Sequence, residues 1–135
     1  MALTNTTIDI PFSASQTTSI ASSGTATSDA VTFDQTGVAL VATFKADNNG
    51  TPASGDTVDV FAQFSAGDPD GTGSSEYPDA DHDEFLCRLD TNADEPALAS
   101  VVLPVGFSSA KFRFKNNSAG RAITVSGVVI EKRSS

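Results

Sequence analysis

Residues 56–66, DTVDVFAQFSA, alternate apolar and polar side chains with a period of two, and the same alternation returns in VALVATFKAD (38–47) and KFRFK (111–115). That period belongs to a strand with one face buried, because successive side chains of an extended backbone point to opposite sides. Nothing of comparable length repeats at a helical period. Leu, Glu, Gln and Lys, which favour helices, are sparse beside Thr, Ser, Ala, Val and Asp. The expectation is an all-β fold: an antiparallel β-sandwich, jelly-roll-like, with about eight strands and an extended N-terminal segment.

The alternation assigns faces. Val38, Leu40, Ala42, Phe44 and Ala46 share one side of a strand, and the following DNNGTPASGD turns the chain, with Asn49-Gly50 and Gly55 at positions suited to positive φ. Val58, Val60, Ala62 and Phe64 form the inner face of the next strand, which leaves Phe61 on the outer one. In EFLCRLD the same rule puts Phe85, Cys87 and Leu89 together. A strand near 97–105 is interrupted by Pro104. In the last strand Ile123, Val125, Val128 and Ile130 point inward, with a bulge at Gly127 to keep them in phase.

Residues 1–37 differ from the rest, being rich in Ser, Thr and Ala with Asp9, Asp29 and Asp34 as their charges. They read either as a flexible arm or as edge strands. Residues 1–15 form the arm or edge strand, and 16–135 a single sandwich domain. Within the arm, Ile8, Ile10 and Phe12 alternate with Thr7, Asp9 and Pro11; Pro11 cannot donate to a ladder and so belongs on an edge. An edge this apolar, Leu3 included, asks to be covered by another chain.

A chain of 135 residues is one domain by length, with a formal charge of −9. That charge disfavours nucleic acid and anionic membranes as partners, since phosphate binding needs concentrated Lys and Arg. A single cysteine, Cys87, leaves no internal disulfide. The start MALTNTTIDIPF has neither the basic nor the apolar segment of a signal peptide, so synthesis in a cytoplasm is expected.

The segment GDPDGTGSSEYPDADHD (67–83) is long for a loop in a compact domain. Asp68, Asp70 and Thr72, with Gly73 behind them and Asp79 further on, follow the spacing of a calcium loop, whose oxygen ligands sit at alternate positions. Ser75 stands where such a loop carries an apolar residue, and the flanks read as strands. A solvated acidic loop is the plainer reading, and no other cofactor is expected. Catalysis is not expected either: one His and one Cys supply no nucleophile–base–orienter set.

Charge is segregated along the chain. Ten of the seventeen acidic residues fall between Asp68 and Glu95, and six of the eight bases between Lys111 and Arg133. Lys111, Arg113 and Lys115 project from one face of one strand, either into solvent or onto an acidic partner. With Leu3, Ile8, Ile10, Phe12 and Phe61 they make up the residues expected to meet a partner.

FDQTGVALVATFKAD, VDVFAQFSAGDPDG and KFRFKNNSAGRAITVSGVVIEK, behind an uncharged Ser/Thr/Ala-rich beginning, give the chain a plan that resembles the small decoration, or cement, proteins of tailed bacteriophages. The resemblance implies a β-rich, non-enzymatic virion structural protein on the capsid surface, its partners the major capsid protein and its own copies in a homotrimer. No binding residue is carried over from it. Two alternatives stand beside it: a glycan- or receptor-binding sandwich, such as a fibre tip or lectin-like module, and a tail or baseplate structural protein.

Overall fold

The computed structural model describes residues 2–34 and 37–134, and the fold among them is all-β, two antiparallel sheets face to face. Ten strands appear in order: β1 (Leu3–Asp9), β2 (Thr17–Ile20), β3 (Thr25–Thr27), β4 (Val31–Thr32), β5 (Gly37–Asn48), β6 (Thr57–Ser65), β7 (Glu84–Asp90), β8 (Ala97–Leu103), β9 (Ser109–Asn116) and β10 (Ile123–Ser134). The front sheet runs β1-β10-β5-β8, with β2 also on β10; the back sheet runs β3-β9-β6-β7, with β4 also on β9. The count exceeds eight because the Ser/Thr-rich beginning forms four short strands along the edges of β10 and β9.

The core follows the alternation. Leu40, Ala42, Phe44 and Ala46 of β5 face Val58, Val60 and Ala62 of β6 and Phe112 and Phe114 of β9, all buried. Phe44 is the centre: its ring lies 5.5 Å from Phe112 and 5.8 Å from Phe114, tilted or edge-on as aromatic quadrupoles prefer. Each such ring contributes roughly 2–3 kcal/mol by leaving water. Val38 shares the inner parity but falls at the register shift, between Ala39 paired with Lys132 and Gly37 paired with Arg133, and is exposed. β8 ends at Leu103, just before Pro104.

Three assignments are corrected. Gly127 is no bulge: β10 pairs with β5 in unbroken register from Ile123 to Lys132, and the shift falls at Lys132/Arg133. Gly127 sits inward, where a Cβ would meet Ile10 Cδ1 at 2.7 Å and Phe44 Cδ1 at 3.0 Å. Consequently Val129 and Glu131 point inward, while Val128 and Ile130 take the outer face. The bulge lies instead between β6 and β7, where Val60 pairs with Cys87 but Phe61 pairs with Phe85. The extra residue, Leu86, turns Phe85 outward, and it is 57% exposed.

The third concerns the arm. β1 is an edge strand on β10, from Leu3↔Ser134 to Asp9↔Val128. Beyond it Ile10 is fully buried, with its amide donating to Gly127 O at 3.0 Å, and the Phe12 ring lies 5.6 Å from Phe114. Ile10 is therefore a core residue, and Phe12 packs against the core; both were expected at a partner interface.

Candidate functional site

The outer face of the back sheet carries the basic ladder, and the chain's own acidic loop covers it. From Ser65 the loop leaves β6, closes on itself through Glu76 N donating to Gly67 O at 2.9 Å, and returns across β9. Tyr77 reaches Ser109 by its hydroxyl, 2.7 Å from Oγ, and Lys111 Nζ rests 4.6 Å from the Tyr77 ring centre. Arg113 donates to both Asp83 carboxylate oxygens and lies 4.0 Å over the Phe61 ring. Lys115 donates to Ser23 O at 3.1 Å.

The strand pattern placed Lys111, Arg113 and Lys115 on one face of their strand and Phe61 on the outer face of its own; the pairing of Phe61 with Arg113 brings them together. The pattern missed that the acidic partner lies in the same chain. Arg113 is spent on Asp83 and Phe61, so neither of the ladder's expected settings, open solvent or a separate partner, describes it. Phe61 is likewise covered, by Arg113 above and by Phe85 edge-on at 5.6 Å. Phe85 is the exposed aromatic side chain among the described residues, and no strand period could have found it, because the bulge breaks the period.

At the loop's far end the expected calcium ligands separate. Asp68 accepts the Gly71 and Gly73 amides, and the Gly73 bond above all holds its carboxyl below the usual range. Asp70 accepts both the amide and the hydroxyl of Thr72. Asp79 stands apart, bonded to the Asp81 amide and 3.1 Å from His82 Nδ1, and that imidazole holds its carboxyl low. The carboxylates that do converge are Asp68, Asp70 and Glu76, with oxygens within 4.8 Å of one another and all three side chains exposed. Thr72 spends its hydroxyl on Asp70, and Glu76 was not among the expected ligands.

Asp56, Arg121, Asn48 and Thr91 form a buried polar knot at one end of the sandwich. Asp56 pairs with Arg121, accepts Asn48 Nδ2 at 3.0 Å and the Ala53 amide at 3.1 Å. The Arg121 bond, above all, draws the Asp56 carboxyl down to about 2. Thr91 Oγ1 donates to Asp56 O at 2.8 Å. Saturated in this way, the knot joins three turns and offers no reactive group. Cys87 is half-buried, and that burial pushes its thiol up to about 11.

The outer face of the front sheet carries exposed aliphatic side chains. One cross-strand row runs Thr7, Ile130, Val41, Val102 by direct pairing across β1, β10, β5 and β8. Val102 is 78% exposed, and Leu98 on the same face 64%. Leu3, also exposed, lies on this outer face at the end of β1, whereas Ile8 faces inward and packs on the core. Neighbouring rows mix Thr43, hydrogen-bonded to Ser100 at 2.8 Å, with Lys45 and Asp9. Such a patch offers aliphatic contact and no aromatic ring on which a sugar could stack.

No protein-family model matches the chain, and no curated protein matches it. Solved structures do. The CBM36-1 domain of a multidomain xylanase from the hindgut metagenome of Trinervitermes trinervoides is 12% identical, over 94% of this chain and 96% of that one, with a TM-score of 0.51. The CBM22-1–GH10 modules of Clostridium thermocellum xylanase 10B, solved with xylohexaose, are 13% identical over 94% of this chain and 28% of that one, TM-score 0.55. Infectious bursal disease virus, Gx strain, gives 12% identity over 97% of this chain and 32% of that one, also at 0.55. The chain thus spans about a third of the length of the last two. At such identities the likeness is one of fold: a jelly-roll-like β-sandwich.

Proposed function

We propose that this chain is a non-enzymatic structural protein of a virion, a decoration protein that binds the outside of a tailed-phage capsid and associates with its own copies, most simply as a trimer. The observation that carries this reading is the uncovered aliphatic row Ile130–Val41–Val102 on the outer face of the front sheet. On the opposite face the chain's own loop lies over Lys111 and Arg113 and leaves Phe85 exposed, so the front sheet is where the molecule has aliphatic surface to offer. Weak apolar contacts of this kind gain strength by repetition around a shell. Localisation on the capsid surface and a major capsid protein as partner follow from the same reading. An aliphatic platform on a rigid sheet suits a protein neighbour, and the fold it stands on is shared with a virus.

A glycan-binding module is the second reading, and Phe85 favours it, being an exposed ring flanked by the Arg88–Asp59 ion pair. One experiment separates the two. Purified protein is sedimented with DNA-free tailed-phage heads, and in parallel applied to a glycan array, as wild type, Val102→Lys and Phe85→Ala. Head binding lost in Val102→Lys and kept in Phe85→Ala supports decoration. Glycan binding lost in Phe85→Ala replaces it with the second reading.

A further inference from the structure

Glu131 is completely buried on the inner side of β10. Its Oε1 accepts the Asp34 amide at 3.1 Å and Arg133 Nε at 2.9 Å. Its Oε2 is buried as well and receives no hydrogen bond. A carboxylate oxygen stripped of water and given no donor is costly, so the arrangement is incomplete as it stands. Space for a donor exists because residue 37 is glycine: a Cβ there would begin 2.5 Å from Oε2. Gly37 and Glu131 both line a cavity of about 290 Å³, whose walls also include Phe33, Leu40, Phe107 and Asp34.

That cavity's chemistry is selective. Two carboxylates, Glu131 and Asp34, face a single guanidinium, Arg133, which lies 2.8 Å from Glu131 Oε1 and 3.7 Å from Asp34 Oδ2. With Oε1 engaged by Arg133, the buried Oε2 is left to accept, and a carboxylate oxygen bonds a cationic N–H donor more strongly than a neutral one. A divalent metal is opposed by the guanidinium already bound to the same carboxylate and by a lining whose carboxylates are Glu131 and Asp34 alone, few for an ion that takes six or more oxygens. A cation with N–H donors and an apolar stem meets every feature. We propose that this cavity binds a primary ammonium on a short aliphatic stem, with the ammonium donating to Glu131 Oε2 and the stem lying against Phe33, Leu40 and Phe107. A free alkylamine and a lysine side chain of a partner protein share that chemistry. The site does not depend on the capsid reading.

The test is a nuclear magnetic resonance titration of the full chain, following the Gly37 and Gly106 amides. The probes are n-butylammonium chloride, n-butanol (same stem, no charge), calcium chloride and the peptide acetyl-Gly-Lys-Gly-amide. Saturable shifts with n-butylammonium are expected, with n-butanol at least about tenfold weaker, equivalent to about 1.4 kcal/mol. Shifts of the same amides by the peptide identify a lysine as a competent source; n-butylammonium binding without peptide binding identifies the free amine. Glu131→Gln should abolish binding, and Gly37→Ala should block it sterically with the carboxylate intact; should Glu131→Gln not fold, Gly37→Ala decides. No saturable shift with either ammonium probe, equal binding of n-butanol, a calcium response in their place, or undiminished binding in the folded variants would overturn the assignment.

Discussion

Arg113 and Asp83, thirty positions apart, hold each other through two hydrogen bonds of 2.7 and 3.2 Å, with the Asp83 side chain 2% and the Arg113 side chain 13% exposed. The pair fastens the long acidic loop across β9 and converts the chain's charge segregation into an internal clasp. A charge pattern that suggests complementary partners is thereby satisfied within one molecule.

Breaking that clasp from one side leaves a buried charge without its counterion. Arg113→Ala should therefore destabilise the fold by about 3 kcal/mol, the scale for an orphaned member of a buried pair, and uncover the Phe61 ring. Adding Asp83→Ala should recover part of the loss. Urea unfolding of the two single variants and the double variant gives the coupling; strictly additive effects would show that the two groups do not support each other.

Gly127 is required by its neighbours rather than by its backbone. Gly127→Ala puts a methyl 2.7 Å from Ile10 Cδ1 and 3.0 Å from both Phe44 Cδ1 and Thr43 O. Overpacking of this sort costs about 1–3 kcal/mol. Ile10→Val removes the closest atom, so the double variant should lose less than the sum of the single losses. Thermal melts of all four proteins check this, and an additive pair would place the crowding at Phe44 or the Thr43 carbonyl instead.

How much of this was legible beforehand depended on whether a period continued. β5 from Leu40 onward and β6 announced their inner apolar residues because nothing interrupts the alternation there. β7 misled because one extra residue, Leu86, reverses the face of Phe85, and a bulge leaves no mark on composition. β10 misled in the opposite way. A glycine in a strand suggests a bulge, but Gly127 answers the volume of Ile10 and Phe44, which are far away in sequence. Glu131 was invisible for a related reason: a lone acid near a strand end reads as solvated, and only the packing of Gly37 against it shows that it is enclosed. The acidic loop stands out by its length, yet the contacts that its Tyr77 and Asp83 make with β9 depend on tertiary placement that spacing does not encode.

Acid should weaken the fold through Asp56. Its carboxyl is held down to about 2, mainly by the Arg121 bond, against an ordinary 3.8. A depressed folded-state value means the contribution is complete above about pH 4, shrinks as pH falls through the window between 4 and 2, and is gone below it. Stability of the wild type minus that of Asp56→Asn should be flat from pH 7 to about 4 and then decline. A difference independent of pH down to 2 would mean that the Asp56 charge contributes nothing beyond its hydrogen bonds.

Cys87 should be a poor nucleophile. With its thiol raised to about 11 by burial, only about one molecule in a thousand carries a thiolate at pH 8. Labelling by Ellman's reagent at that pH should be slow in the native protein and become fast in guanidinium, by at least about tenfold. Equal rates would place the thiol in open solvent.

Truncation of the beginning of the chain separates edge from core. Residues Leu3–Asp9 form an edge strand whose outward side chains are exposed, so removing residues 2–7 costs ladder hydrogen bonds and little apolar burial. Residues 10–12 are different: Ile10 is wholly buried beside Gly127, and Phe12 packs on Phe114. Emptying a buried Ile position alone costs about 2–5 kcal/mol, against a total stability of about 5–15 kcal/mol for a domain. Deleting residues 2–7 should thus leave a cooperative melt at lowered temperature, whereas deleting 2–13 should abolish it or bring it close to ambient. If the longer deletion instead left a melt like that of the shorter one, Ile10 and Phe12 would not be core residues, and the first thirteen residues would act as one detachable arm.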